Sequence, residues 1–157
     1  MSEQSVARLR EVPTFEALPD AALHALAEGA DEVALKGGEM LFRTGETAEG
    51  GHVVLAGRLE LFTEQGARRK RLCELLPGAL IGEKALLIAA TRPCSARALE
   101  ASRLLPIPRL LFLQLLQDFP EAAQALRALF ASRIAETMGA LDAFRAEKLD
   151  GPPPRRR

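Results

Sequence analysis

The 157-residue chain predicts an α+β fold, with a strand-rich middle enclosed by helical ends, on three observations. Apolar residues recur at three- and four-residue steps before residue 30 and again after residue 108. From Asp31 to Ile107 the texture changes to short strand-sized runs separated by glycine-containing turns. The length suits one compact domain with enough chain for a real core.

The first element is a helical lead-in over residues 14–28, TFEALPDAALHALAE. Phe15, Leu18, Leu23 and Leu26 share a helical spacing, and Pro19-Asp20 marks a break and restart. His24 belongs to this segment as a helix-surface or half-buried residue. In the strand-rich region VALKGGEMLF turns at Gly37-Gly38, and RTGETAEGG turns at Gly45 and again at Gly50-Gly51. HVVLAGRLELF alternates about Gly57, with Val54, Leu59 and Leu61 as inward positions. TEQGARR turns at Gly66, RLCELL is a further strand ended by Pro77-Gly78, and CSARALE and ASRLLPIP are two closing strands. Such regular spacing argues for a β-sandwich, jelly roll or barrel.

From Pro108 the pattern is helical. PRLLFLQLLQDF stops before Pro120, and Pro120 opens a long helix as its first residue. Leu126, Phe130, Ile134, Met138, Leu141 and Phe144 form one apolar stripe along it. That stripe either covers the strands of its own subunit or forms a homodimer seam through residues 120–149, with Gly139 weakening a coiled coil. Residues 150–157, ending GPPPRRR, read as a stiff, basic, disordered tail.

Composition narrows the function. Hydrophobic content of 48% and charged content of 27% are ordinary for a soluble domain. The formal net charge is zero, so no global field draws nucleic acid or an anionic membrane. The run Arg68, Arg69, Lys70, Arg71, with Glu64 and Glu74 close by, reads as a solvated hairpin face. The absence of Trp and Tyr removes the usual stacking platforms for single-stranded nucleic acid. The N-terminus lacks a signal-peptide pattern and no apolar run is long enough for a membrane span, so a cytoplasmic protein is expected. Cys73 and Cys94, in apolar strand-like surroundings, are expected to be reduced and buried. His52 begins a strand with no second histidine nearby, so no metal site is expected, and His24 and His52 alone oppose a histidine-rich metal-dependent oxygenase. The chain reads as a non-enzyme.

The stretch Ile81 to Ser95, IGEKALLIAATRPCS, carries the chemistry. Gly82 allows backbone to approach a ligand closely. A helical turn starting near Glu83 would direct N–H groups and a positive dipole end at an anion. Arg92 can hold a phosphate through its bidentate fork, while Glu83 can accept hydrogen bonds from sugar hydroxyls. A cation for phosphate beside an acceptor for sugar points to a nucleotide.

Taken with GGEMLFRTGE and VVLAGRLEL, the order of elements and the stretch IGEKALLIAATRPCSARA resemble the cyclic nucleotide-binding domain, over roughly Val12 to Leu149. The resemblance implies a β-roll, a jelly-roll-like double-stranded barrel, flanked by an N-terminal helical segment and two C-terminal helices. It implies that Glu83 accepts from a ribose 2′-hydroxyl and that Arg92 pairs with a cyclic phosphate. Gly82, Lys84 and Ala85 would line the pocket chiefly through backbone, and Cys94 or Ser95 would approach the base. The ligand would be cyclic AMP, or cyclic GMP, with no further cofactor.

Two positions depart from that pattern. Pro93 follows the arginine and has no N–H to offer a phosphate. Lys84 replaces an apolar residue and either snorkels to solvent or adds charge near the phosphate. With eight residues after Leu149, no DNA-binding helix-turn-helix is expected, and output would pass through an effector protein or self-association. The alternative is a protein-interaction module that keeps the fold and binds no nucleotide.

Overall fold

The computed structural model describes residues 2–16 and 18–132. Helix α1 (Ser2–Glu11) leads through a 3-10 turn (Pro13–Phe15) into α2 (Asp20–Gly29). Ten strands follow: β1 (Val33–Leu35), β2 (Met40–Phe42), β3 (Thr47–Ala48), β4 (Gly50–Ala56), β5 (Leu59–Gln65), β6 (Arg68–Leu75), β7 (Leu80–Ile81), β8 (Ala90–Thr91), β9 (Ser95–Ala98) and β10 (Ser102–Pro108). A second 3-10 turn (Lys84–Leu86) interrupts the strands between β7 and β8. Helix α3 (Arg109–Asp118) comes next, and α4 covers 120–132. Pro19 caps α2 and Pro120 opens α4, as the sequence predicts for both.

The strands form the expected β-roll. One antiparallel sheet has the order β1-β10-β4-β7, the second β2-β9-β5-β6, and a two-stranded ribbon pairs β3 with β8. Gly57, at φ +91°, is the corner where the chain leaves the first sheet for the second. There a Cβ would lie 2.2 Å from Ser102 Oγ, so only glycine fits.

Two apolar clusters hold the fold. Val54 and Leu104 face the second sheet and pack with Leu59, Ala96 and Ala98, while Leu61 is partly buried against them. Val53, Leu55, Leu105 and Ile107 face the helices, with Leu9, Phe15, Leu23, Leu26 and Phe112. The first sheet is therefore covered on both faces, which explains the near-continuous burial of β4. Each such side chain contributes about 1.5–3 kcal/mol relative to exposure.

Four expectations need correction or extension. Gly50-Gly51 is not a turn: both residues lie inside β4, paired with Pro108 and Ile107 of β10. A Cβ on Gly50 would sit 2.0 Å from the Ile107 carbonyl oxygen, so glycine serves here for close strand approach. For the same reason His52 stands third in its strand rather than first. Cys73 is exposed, because β6 is the edge strand of its sheet and is exposed along almost its whole length; Cys94 is buried as expected. Helix α1 lies ahead of the boundary drawn at Val12 and buries Val6 and Leu9 in the helix-side cluster, with Arg8 Nε donating to the Leu55 carbonyl at 3.1 Å. The stripe positions Ile134, Met138, Leu141 and Phe144, and the tail 150–157, lie outside the described residues.

Candidate functional site

The segment between β7 and β9 folds as a short helical turn followed by a tight return. Gly82, at φ +79°, reverses the chain so that Ala85 N–H donates to its carbonyl at 3.0 Å. Leu86 N–H then donates to Glu83 and Ile88 N–H to Lys84, closing the turn. Ala85 and Leu86 enter the core, while Ile88 is exposed. Thr91 and Ala90 pair with Thr47 and Ala48, which brings Arg92 against the loop before β3.

That loop holds Arg92 by its backbone. Gly45 N–H donates to the Arg92 carbonyl at 2.8 Å, and Arg92 N–H donates to the Glu46 carbonyl at 2.8 Å. The loop is itself braced, since Glu46 Oε1 accepts from Arg43 N–H at 2.6 Å and Ser95 Oγ accepts from Thr44 N–H at 3.0 Å. The first Gly-Glu turn repeats the device, with Glu39 Oε1 accepting from Lys36 N–H at 2.8 Å.

Arg92 as a residue is 7% exposed. Its Nη2 donates to the Gly50 carbonyl at 3.1 Å, and its guanidinium lies 4.2 Å from the centre of the Phe42 ring. A Cβ on Gly82 would meet Arg92 Nη1 at 2.7 Å, so the glycine makes room for the cation. Burial pulls the guanidinium below its ordinary pKa, with Glu46 and Cys94 pulling the other way. An arginine stays charged through such a change. His52 beside it is held down to about 4, first by burial and then by Arg92, and so is neutral. Burial pushes the Cys94 thiol up, so it is not a thiolate nucleophile.

All seven residues proposed from the sequence, Gly82, Glu83, Lys84, Ala85, Arg92, Pro93 and Cys94, line one cavity of about 320 Å³. Its volume falls within the usual range for small-molecule sites, roughly 300–1,000 Å³. Lys84 and Pro93 are exposed, which puts the lysine charge toward solvent, and Arg92 and Cys94 are buried. A separate cavity of about 400 Å³ beside α1 is lined by Arg8, Glu11, Glu32 and Arg103. Those charges pair with one another, Arg8 with Glu11 and Arg103 with Glu32.

Sequence reasoning missed several contributors. Phe42, Ala48 and Leu61 supply apolar wall from β2, β3 and β5. Leu61 was readable only as an inward strand residue, and nothing marked Phe42 as the ring beneath Arg92. Thr14 Oγ1 donates to Glu83 Oε2 across 69 residues of chain, and no local pattern signals it. Arg109, the first residue of α3, directs Nη1 at the Ala85 and Ile88 carbonyls, 3.2 and 3.3 Å away, and also at Ala48. One side chain thus ties α3 to the turn that lines the cavity.

Known proteins share this fold. Residues 32–119 match the cyclic nucleotide-binding domain family. The cyclic AMP receptor protein of Thermus thermophilus is 35% identical over 112 residues, 71% of this chain and 52% of that protein. The chain spans about half or less of the length of the curated relatives it matches. The N-terminal domain of a transcriptional regulator from Streptomyces coelicolor is 32% identical, with a TM-score of 0.80 over 85% of this chain and 94% of that one. The regulatory domain of Toxoplasma gondii PKA, crystallised with cAMP, has a TM-score of 0.72 at 25% identity, over 83% of this chain and 49% of that one. With a family match over more than half its length and the same β-roll, the chain belongs to the cyclic nucleotide-binding domain family.

Proposed function

We propose that this chain is a sensor that binds a cyclic nucleotide, cyclic AMP before cyclic GMP, in the cavity of residues 82–94. The observation that carries the reading is the convergence of Glu83 and Arg92 on that one cavity, with Arg92 held by its backbone. In this reading Arg92 pairs with the cyclic phosphate and Glu83 accepts from the ribose 2′-hydroxyl. Gly82, Lys84 and Ala85 offer backbone, and Cys94 approaches the base. Support for cyclic AMP comes from the Thermus relative, named as its receptor, and from the Toxoplasma domain crystallised with it. Pro93 lacks the hydroxyl that would favour cyclic GMP.

The signal passes through α3 and α4 to an effector protein, or to a second copy of the chain through the long helix. Arg109 supports this route, since it joins α3 to the cavity turn. Any such shift is limited by the ligand's differential affinity for the two helix positions.

Isothermal titration of the chain with cyclic AMP and cyclic GMP tests the reading, with Arg92→Ala as control. Micromolar or tighter binding to the wild type is expected. The variant should lose about 2–5 kcal/mol of it, the usual cost of removing one partner of a buried charge pair. Undiminished binding by Arg92→Ala would refute the assignment. Pro93 favours a second reading, a protein-interaction module without nucleotide, and absence of binding to either nucleotide would select it.

A further inference from the structure

Resting on the reading of Glu83 as the ribose acceptor, we propose that Thr14 is a positioning residue that sets the ligand-binding geometry of Glu83. The contact is direct, Thr14 Oγ1 donating to Glu83 Oε2. Glu83 lines the cavity and Thr14 does not, so the hydroxyl comes from outside the lining. A carboxylate accepts at about four lone-pair sites, so a donor on one oxygen is compatible with a ligand hydroxyl at the same group.

Thr14 is itself held firmly. It is 3% exposed, in the 3-10 turn where Phe15 N–H donates to the Val12 carbonyl at 2.9 Å. Val12 and Phe15, on either side, are fully buried in the helix-side cluster. Glu83 is half-buried at the start of a three-residue turn, on a side chain with three rotatable bonds. A fixed donor beside a flexible acceptor removes rotamer freedom before the ligand arrives, so binding no longer bears that ordering cost. The N-terminal element thereby completes the sugar end of the cavity, although it contributes nothing to the wall.

The test compares cyclic AMP with 2′-deoxy cyclic AMP, which lacks the hydroxyl that Glu83 would accept. Both are titrated into the full chain as wild type, Thr14→Val, Thr14→Ser and Arg92→Ala, with thermal unfolding of each variant alongside. Thr14→Val should weaken cyclic AMP about tenfold, as loss of one hydrogen bond to a charged group implies, and leave the deoxy analogue unchanged. Thr14→Ser keeps the donor and should bind as the wild type does. Thr14→Ala reports the same difference if the valine variant is unfolded. Equal weakening for both nucleotides would mark a purely structural residue and overturn the inference. Unchanged or tighter cyclic AMP binding by Thr14→Val would overturn it too. If the wild type binds cyclic AMP and Arg92→Ala does not, the proposed function stands whatever Thr14 does. If the wild type binds neither nucleotide, the function and the inference fall together.

Discussion

Arg92 donates its backbone amide to the Glu46 carbonyl at 2.8 Å, and the Gly45 amide returns a bond of equal length to the Arg92 carbonyl. The peptide groups on either side of Arg92 are thus committed to the neighbouring loop. The next amide along the chain would belong to residue 93, which lines the cavity but, as proline, has none.

Pro93→Ala should therefore tighten cyclic nucleotide binding. One charge-assisted hydrogen bond to a phosphate is worth about 1.5–3 kcal/mol, or roughly ten- to a hundredfold in affinity. Titration of the variant against the wild type measures it, and equal affinities would show that no amide is wanted at this position.

Gly50→Ala should destabilise the fold severely. Its Cβ would lie 2.0 Å from the Ile107 carbonyl oxygen and 2.9 Å from the Pro108 Cα, both rigid backbone. Relief requires β4 and β10 to part, at about 3 kcal/mol or more if overpacking in well-packed cores is a guide. Urea unfolding reads the loss. Gly66 is the comparison: its positive φ carries a conformational cost, but a Cβ there meets nothing within 4 Å, so Gly66→Ala should cost only about 1–2 kcal/mol.

Acid should weaken the protein through His52 before Glu60 matters. The folded-state pKa is about 4 against an ordinary 6.5, and Nδ1 is buried with no hydrogen-bond partner among the described residues. Because the folded value is depressed, protonation favours the unfolded chain. The stability is fully present above pH 6.5 and is lost as pH falls toward 4, a total of about 3 kcal/mol. Burial pushes the Glu60 carboxyl up, but hydrogen bonds from Arg97 and Arg71 outweigh it and hold the group below its ordinary 4.5. Its contribution is accordingly present above 4.5 and lost only below it. Urea titrations at pH 7, 6, 5 and 4 should show the decline, and His52→Gln should flatten the part above pH 4.5.

Arg109→Met should loosen the tie between α3 and the cavity turn while keeping the apolar stem of the side chain. The turn carbonyls of Ala85 and Ile88 lose a charged donor, so the variant should be about 1–3 kcal/mol less stable. Hydrogen exchange should rise in the turn over 82–88 and at the start of α3. Unchanged exchange in both would mean that the contacts bear no load.

Much of the fold was legible because glycine and proline mark backbone requirements locally. Gly38, Gly45, Gly66 and Gly78 all have positive φ, at or beside positions where the sequence indicates turns or strand ends, whereas the corner at Gly57 was hidden in what reads as one alternating run. Gly50-Gly51 misled because glycine also serves close approach, and its purpose there depends on a strand more than fifty residues further along. Cys73 misled for a related reason: strand-like alternation does not reveal which strand will be an edge. Helix α1 was illegible because SEQSVARLRE has little apolar stripe beyond Val6 and Leu9, and its burial depends on α2 and β4. The cavity residues 82–94 could be read because they are contiguous. Thr14, Phe42 and Arg109 could not, since each acts across a gap in sequence that only folding closes.

Phe15 lies next to Thr14, and its ring centre is 5.9 Å from that of Phe112 on α3. One 3-10 turn therefore touches both the carboxylate at the cavity and the helix proposed to carry the signal. Such an arrangement is a lever that works from either end. A protein that grips α3, where Leu110 is 82% exposed, and turns it would disturb the seat of Glu83. By linkage, its effect on nucleotide affinity would equal, factor for factor, the nucleotide's effect on its own.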